Sequence, residues 1–487
     1  MSMPSFFSSP RKIKDHIKID AANSSYASKA YCSIRFSLTG EWSKCCICAM
    51  NLVPALLRHS PTVFAEIVRP RSPEMKYVWI LNHYAMTPDQ AGGTRHYSLA
   101  KNLLPCGWHA TLIASSVEHN SGSQRLAPQE VSRMEEFAGI PFLWLRTPQS
   151  KGNGIGRIIN MLSYALRVLK GKHTQGLPRP DLIIGSTVHP FAAIAGALLA
   201  RRHHVPFIFE VRDLWPQTLI DLGRLQPGSM VAHVLGRLEK WLYREASRVV
   251  VLLPYAAHYI EALGIPAAKV VWIPNGVDLS VFPACDAALK TAGKPFVLMY
   301  FGAHGQANGL ECILEAMQLV SRQIAPELIT LRMIGDGPLK ADLIGLAQRL
   351  GLSNVSFYPS VPKDAIPALA GDADAFVISV LDLPRLYRYG ISMNKLFDYL
   401  ASARPIIIAS AAANNPVADA KAGITVAPGN PEQIAMAILQ LFNSSADERK
   451  QMGRAGRRYV ELHHGFDQLA RRLAATMDDC LSQCKQE

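Results

Sequence analysis

From residue 75 onward the apolar residues fall into short runs, many of them β-branched or aromatic, separated by longer stretches in which they recur every three or four positions. Such runs read as buried strands and the wider spacing as helices, so their alternation predicts parallel sheets covered by helices. Strands are expected over residues 77–82, 110–115, 141–145, 181–185, 206–211, 248–253 and 270–274. A second series follows at 296–301, 329–334, 355–358, 375–380, 405–409 and 423–426, with helices over 310–321, 339–350 and 394–401 between them. The two series meet in a Pro- and Gly-containing stretch at 275–294. The fold class is therefore α/β, with two doubly wound Rossmann-like domains at 75–279 and 280–455 facing one another across a cleft. Helical residues 456–487 have no strand after them and can cross back to the first domain.

Residues 1–74 break this pattern. Serine is frequent, Arg11, Lys12, Lys14 and Lys18 are basic, and the one apolar run, 45–57, is shorter than the roughly 20 residues needed to span a bilayer. It also lies too far from the start for a signal-peptide core. Met75 opens the first clean strand, so the segment reads as a poorly structured extension upstream of a physiological start at Met75. A basic arm that touches a membrane is the alternative.

Length and composition fit two folded domains: 487 residues, 49% hydrophobic and 18% charged. The formal net charge of +13 attracts anions. Nucleic acid is set aside as a partner, because zinc-finger spacing, RRM-like aromatics and a basic zipper are all missing. Phosphate-bearing substrates and an anionic membrane surface remain. Helix 156–172, apolar in the middle and basic at its ends, is either a buried domain helix or an element lying on such a surface. Nine cysteines (Cys32, Cys45, Cys46, Cys48, Cys106, Cys285, Cys312, Cys480 and Cys484) lack paired spacing and are read as reduced thiols in a cytoplasm.

In open α/β sheets ligands bind beyond the carboxyl ends of the strands, so the turns there carry the chemistry. Gly92-Gly93 follows the first strand and precedes a helix, and Gly302-Ala303-His304-Gly305-Gln306-Ala307-Asn308-Gly309 repeats that arrangement in the second domain. Glycines at a helix start let an anion approach bare backbone N–H groups. Neither turn is a Walker loop or a GxGxxG fingerprint, and no buried strand leads into Gly152-Asn153-Gly154-Ile155-Gly156, so no nicotinamide or flavin cofactor is expected. No metal site is expected either. Asp372-Ala373-Asp374 precedes a strand, and the pairs His203-His204 and His463-His464 point successive side chains apart.

Three strings in order, Ile273-Pro274-Asn275-Gly276-Val277-Asp278, Met333-Ile334-Gly335-Asp336-Gly337-Pro338, and Lys395-Leu396-Phe397-Asp398-Tyr399-Leu400-Ala401 continuing to Arg404-Pro405-Ile406-Ile407, resemble glycosyltransferase family 4. Residues 181–190 and Glu210-Val211-Arg212-Asp213-Leu214-Trp215-Pro216 extend the likeness to bacterial polysaccharide and O-antigen enzymes, among them transferases of N-acetylated amino sugars. The resemblance implies a GT-B fold, a nucleoside-diphosphate sugar donor, no required metal and retention of anomeric configuration. It implies a saccharide or lipid-linked acceptor and a place in the cytoplasm, peripheral at the inner face of the plasma membrane. A GT-B sugar-nucleotide epimerase is the alternative.

The same resemblance suggests the site. Donor-binding candidates are Gly93, Gly302, Gly305, Asn308, Gly309, Gly335, Asp336, Gly390, Ile391, Ser392, Lys395 and Asp398. His189 matches a position near the transferred sugar, and Asp213 ends a strand facing the cleft, where it can bind acceptor hydroxyls or orient His189. Asp398 takes the place of the acid that binds ribose hydroxyls, and Lys395, one helical turn away, is the diphosphate cation. Two departures stand out. Tyr389-Gly390-Ile391-Ser392-Met393-Asn394 replaces the motif's first acid, leaving the backbone of 390–392 to recognise sugar hydroxyls. Asn308-Gly309 replaces a phosphate-binding lysine, whose role passes to Arg385, Arg388 or Lys395 alone.

Overall fold

The computed structural model describes residues 75–118, 122–149, 154–187, 189–282 and 294–484. The expectations for residues 1–74, for Cys285 and for Gly152-Asn153 lie outside these. Eight strands form the first sheet: β1 (Lys76–Leu81), β2 (Trp108–Ser115), β3 (Ser132–Phe137), β4 (Ile140–Leu145), β5 (Leu182–Ser186), β6 (Phe207–Val211), β7 (Arg248–Val251) and β8 (Val270–Trp272). Their order is β3-β4-β2-β1-β5-β6-β7-β8, parallel throughout except that β3 runs antiparallel to β4 at the edge. Sheets covered on both faces need near-continuous apolar strands, and β5 and β6 are buried at every position.

The second sheet holds β9 (Phe296–Phe301), β10 (Ile329–Ile334), β11 (Val355–Tyr358), β12 (Ala375–Ser379), β13 (Ile406–Ala409) and β14 (Gly423–Val426). Its order is β11-β10-β9-β12-β13-β14, all parallel. In each sheet the chain winds outward one way and then restarts on the other side of its first strand. The switch points therefore fall between β1 and β5 and between β9 and β12, where a crevice opens at the carboxyl edge.

Helices cover both faces of the first sheet. On one face lie α1 (Arg95–Leu103) and, from the far end of the chain, the last helix. On the other lie α2 (Ile155–Leu169), α3 (Pro190–His203) and α4 (Met230–Glu245), packed with Trp79, Ile183 and Phe209. In the second domain α5 (Glu311–Ser321) covers one face, while α6 (Asn394–Ala401) and α7 (Ala446–His463) cover the other.

The last helix, α8 (Phe466–Cys484), leaves the second domain and buries Leu469, Leu473 and Met477 among Val78, Leu99 and Trp108 of the first. Each such side chain contributes roughly 1.5–3 kcal/mol. The crossing is made at Gly276, where a Cβ would stand 2.3 Å from the carbonyl oxygen of His464. Beside it Val277 N–H donates to that same oxygen at 2.9 Å. Asp478 pairs with Lys76 and accepts from the Trp108 indole, and Asp479 pairs with Arg248.

Candidate active site

The carboxyl edges of the two sheets face each other. Gln90 C=O accepts from Lys363 N–H at 3.1 Å, and Tyr389 C=O accepts from Tyr255 N–H at 3.2 Å. Asn275 donates to Ser392 through both its backbone N–H (2.9 Å) and its side-chain amide (2.6 Å). Between these contacts lies a cavity of about 420 Å³, lined by Arg212 and Asp213 beyond β6, Asn308 beyond β9, and the segment from Tyr389 to Asn394.

The second domain supplies a backbone cradle. Gly302 and Gly335 end β9 and β10 with φ of +155° and +143°, and a Cβ on Gly335 would lie 1.9 Å from the carbonyl oxygen of Gly302. Only glycine allows the two turns to touch. Lys395 reaches this cradle from α6. Its Nζ donates to Tyr300 Oη (2.9 Å) and Asn308 Oδ1 (2.5 Å) and lies over the Tyr300 ring. Part of the side chain is exposed, but the ammonium is enclosed by the turns and has no carboxylate partner among the described residues, so desolvation pushes its pKa down to about 7. Gly305 starts and Gly309, in the left-handed region, ends the short helical turn Gln306–Asn308 that precedes α5. His304 is buried between Tyr300 and Phe357, and burial aided by the Lys340 charge holds its imidazole down to about 4.

Asp336 and Asp398 are taken by the fold. Lys340 donates to Asp336 at 2.9 Å and Ser360 N–H at 2.7 Å, which together hold that carboxyl down to about 2. Lys363 donates to both oxygens of the buried Asp398, at 2.6 and 2.5 Å. Burial raises the Asp398 carboxyl above its ordinary range, and Lys363 opposes the rise. Although Lys395 and Asp398 share a helix, their charged ends diverge to different partners instead of working side by side. Part of the backbone of 390–392 is already engaged: Ile391 N–H and C=O are both bonded to Asn414, Gly390 N–H to Tyr387, and Ser392 C=O accepts from Asn275. Gly390 itself, at φ +99°, marks where the domains touch, since a Cβ there would meet Pro254 at 2.7 Å. Arg385 and Arg388 are exposed and outside the cavity lining.

On the first domain's wall, Glu210 at the end of β6 anchors a buried network. Arg95 donates to it at 2.9 Å, His96 lies at 2.5 Å, and Asn82 links to His96 at 2.8 Å. The network fixes the turn that carries Gly93, whose backbone abuts Asn394 across the cleft; a Cβ would lie 2.5 Å from that amide. Gly93 is thus a point of domain approach. Asp213 is open to the cavity, yet the surrounding cleft desolvates it and raises its carboxyl, with Arg212 pulling the other way. It does not cap the short helix Gln217–Asp221.

His189 is the residue just before α3 and is fully buried, beside His83 (4.7 Å between ring centroids), Phe191 and Tyr84. It stands behind the cavity wall, not on it. Neither ring nitrogen has a hydrogen-bond partner among the described residues. Burial, with Arg157 nearby, pushes its pKa down to about 3, so the imidazole is neutral. Asp374, from the DxD-like string, accepts from Val297 N–H at 2.8 Å and belongs to the sheet. Among the described residues no cluster of His, Cys, Asp and Glu could hold a metal ion.

Two cations outside the candidate set stand near the site: Arg212, the one guanidinium among the described residues that line the cavity, and Arg157, which lies over Tyr84 at 5.6 Å. Arg212 was legible as part of its string; Lys363 and Arg157 reach the site only through tertiary contacts.

Residues 91–276 match the family described as a glycosyl transferase 4-like domain, and residues 295–444 match glycosyl transferases group 1. The putative colanic acid biosynthesis glycosyl transferase WcaI of Escherichia coli (strain K12) is 25% identical over 232 residues, 46% of this chain and 56% of its own length. A probable glycosyltransferase of Pseudomonas aeruginosa, WbjE, is 28% identical over 194 residues, covering 38% of this chain and 46% of its own. The chain thus spans about half the length of these curated relatives. Sucrose-phosphate synthase from Thermosynechococcus elongatus superposes with a TM-score of 0.64 at 18% identity, over 84% of this chain and 100% of that one. HepE of Anabaena in complex with UDP-glucose gives 0.57 at 15%, over 83% and 100%. At such identities the structures speak to fold alone. With both halves matched in order about a shared cleft, the chain belongs to the glycosyltransferase family 4-like enzymes and has the GT-B fold.

Proposed function

We propose that the protein moves a sugar from a nucleoside-diphosphate donor to a saccharide or lipid-linked acceptor, with retention at the anomeric carbon, in the assembly of bacterial surface polysaccharide at the inner face of the plasma membrane. The observation that carries this reading is Lys395, an enclosed ammonium without a carboxylate partner among the described residues, set against the Gly302 turn at the β9/β12 switch point. As the bond to the anomeric carbon breaks, negative charge grows on the leaving diphosphate, and fixed cations and backbone N–H groups lower the barrier by meeting it there. Lys395 serves from the second domain and Arg212 from the first. Asp213, open to the cavity with a raised carboxyl, binds the acceptor hydroxyl. The neutral imidazole of His189, unpartnered among the described residues, hydrogen-bonds the transferred sugar once substrate opens the wall. An unmade bond on a buried group costs about 1–3 kcal/mol, so a sugar hydroxyl is a favourable partner.

The polysaccharide setting is suggested by the similarity to the putative colanic acid transferase, and the donor class by the UDP-glucose bound to HepE. Calorimetric titration with UDP, GDP and TDP, followed by product analysis with the matching donor, tests the reading. One nucleotide should bind clearly tighter, and donor alone should give little beyond slow hydrolysis. Accumulation of an epimer without acceptor would make the protein an epimerase. Failure of all three nucleotides to bind would end the donor assignment.

A further inference from the structure

Helix α2 has an inner side that packs Tyr164, Ala165 and Val168 against the sheet. Its outer side keeps Ile155, Ile158, Ile159, Leu162 and Leu166 exposed at 76, 49, 51, 40 and 59%. Their spacing places them along a single stripe. The start of α4 adds Met230, Val231 and Val234 at 83, 58 and 49%. Helices α2 and α4 both flank α3 in one layer, and each precedes a parallel strand, so both begin at the carboxyl edge where His189 also lies. Apolar side chains contiguous at this scale mark an interaction surface.

Charge decides what covers it. Residues 155–172 contain no acid. Arg167, Lys170 and Lys172 line, with Ile159, Leu162 and Leu166, a groove of about 380 Å³. The three cations converge closely enough to add to the burial that lowers the His173 imidazole. A second copy of the helix would bring the same cations and no acid to meet them. Anionic phosphates above an apolar layer complement the face along its whole length.

We propose that the outer face of α2, with the start of α4, is the surface on which this protein lies on an anionic lipid bilayer. The inference deepens the reading of the acceptor as lipid-linked and rests on it for its purpose. Docking by this face brings the wall holding His189 and Arg157 close to the headgroups, where an anion-linked sugar acceptor would enter.

The test uses the full chain and flotation with vesicles of phosphatidylglycerol in phosphatidylcholine, against phosphatidylcholine alone. Wild type should float with the anionic vesicles and lose most of that binding in high salt. A variant combining Ile158→Ser, Leu162→Ser and Leu166→Ser should bind them at least about tenfold more weakly, because exposed apolar area is what inserts. Arg167→Gln with Lys170→Gln and Lys172→Gln should erase the preference for anionic lipid. Both variants should keep the wild-type melting temperature and nucleotide affinity. Wild-type flotation by the serine variant overturns the proposal. So does a wild-type dimer, seen by sedimentation, that the serine variant dissolves without change in flotation. Absence of nucleotide binding in wild type would undo the donor reading and leave the flotation result standing.

Discussion

The chain twice sets a glycine-bearing turn between a buried strand and a helix, at Gly92-Gly93 and at Gly302 to Gly309, and the two turns serve different ends. The second lies against its neighbour Gly335 and the Lys395 ammonium, inside one domain. The first faces Asn394 of the opposite domain, and the helix it opens spends its first residues, Arg95 and His96, on the buried Glu210. A missing Cβ permits close approach, but what approaches is fixed by the opposing element. One turn packs within its own domain and the other meets the domain opposite.

Substitutions can break that contrast. Gly335→Ala should do most damage: it combines a left-handed backbone with a Cβ 1.9 Å from a carbonyl oxygen that cannot move alone. A loss of about 3 kcal/mol or more is expected, which differential scanning calorimetry should record as a fall of roughly 6–12 °C. An unchanged melting temperature would show that the cradle is soft. On the first wall, His189→Ala should lower turnover by about 10²-fold while nucleotide affinity holds, because the proposed donor site lies in the other domain. Retained turnover per folded molecule together with a large drop in melting temperature would assign His189 to packing alone.

Lys395→Met should weaken nucleoside-diphosphate binding about 30-fold and nucleoside binding hardly at all, the scale of a lost charge-assisted bond. With its pKa near 7 in the folded protein, Lys395 is charged below pH 7 and loses its proton above. A diphosphate favours the charged form, so affinity contributed by this residue is present at pH 6 and falls roughly tenfold by pH 8. The same titration on the methionine variant isolates it; parallel pH profiles would remove Lys395 from the phosphate site. Gly93→Ala should be mildest. Its new Cβ meets only the end of the flexible Asn394 side chain, so melting temperature should hold and turnover fall about threefold, the scale expected when positioning is only slightly disturbed. Adding Asn394→Ala should restore it, and failure of that rescue would refute the closure role.

The strand content was legible because fully covered parallel strands must be apolar at nearly every position, as in β5, β6 and β12. The strand that escaped is β3, whose sequence Ser-Arg-Met-Glu-Glu-Phe is polar and half-exposed because it lies at an edge. Helix 156–172 left two readings open, since apolar content alone does not say which face a neighbour covers; the structure leaves its outer stripe bare. The cavity-lining positions Asp213, Asn308 and Gly390 to Ser392 were found through their strings. The pairing of Asp398 with Lys363 was not, because 35 residues separate them and only the fold of the second domain brings them together. Nor does a lone histidine codon for depth: His189 proved to stand behind the wall rather than on it.

The return of α8 to the first domain has a consequence for the order of biosynthesis. Lys76 and its partner Asp478 are 402 residues apart, so at about 5–20 residues per second a ribosome delivers the second roughly 20–80 s after the first. Until then Val78, Leu99 and Trp108 lack the apolar cover that Leu469, Leu473 and Met477 provide. The first domain is thus made first and finished last. During that interval its bare face is a natural substrate for a holdase, and a nascent chain stalled anywhere before α8 would carry an open hydrophobic surface that marks it for disposal.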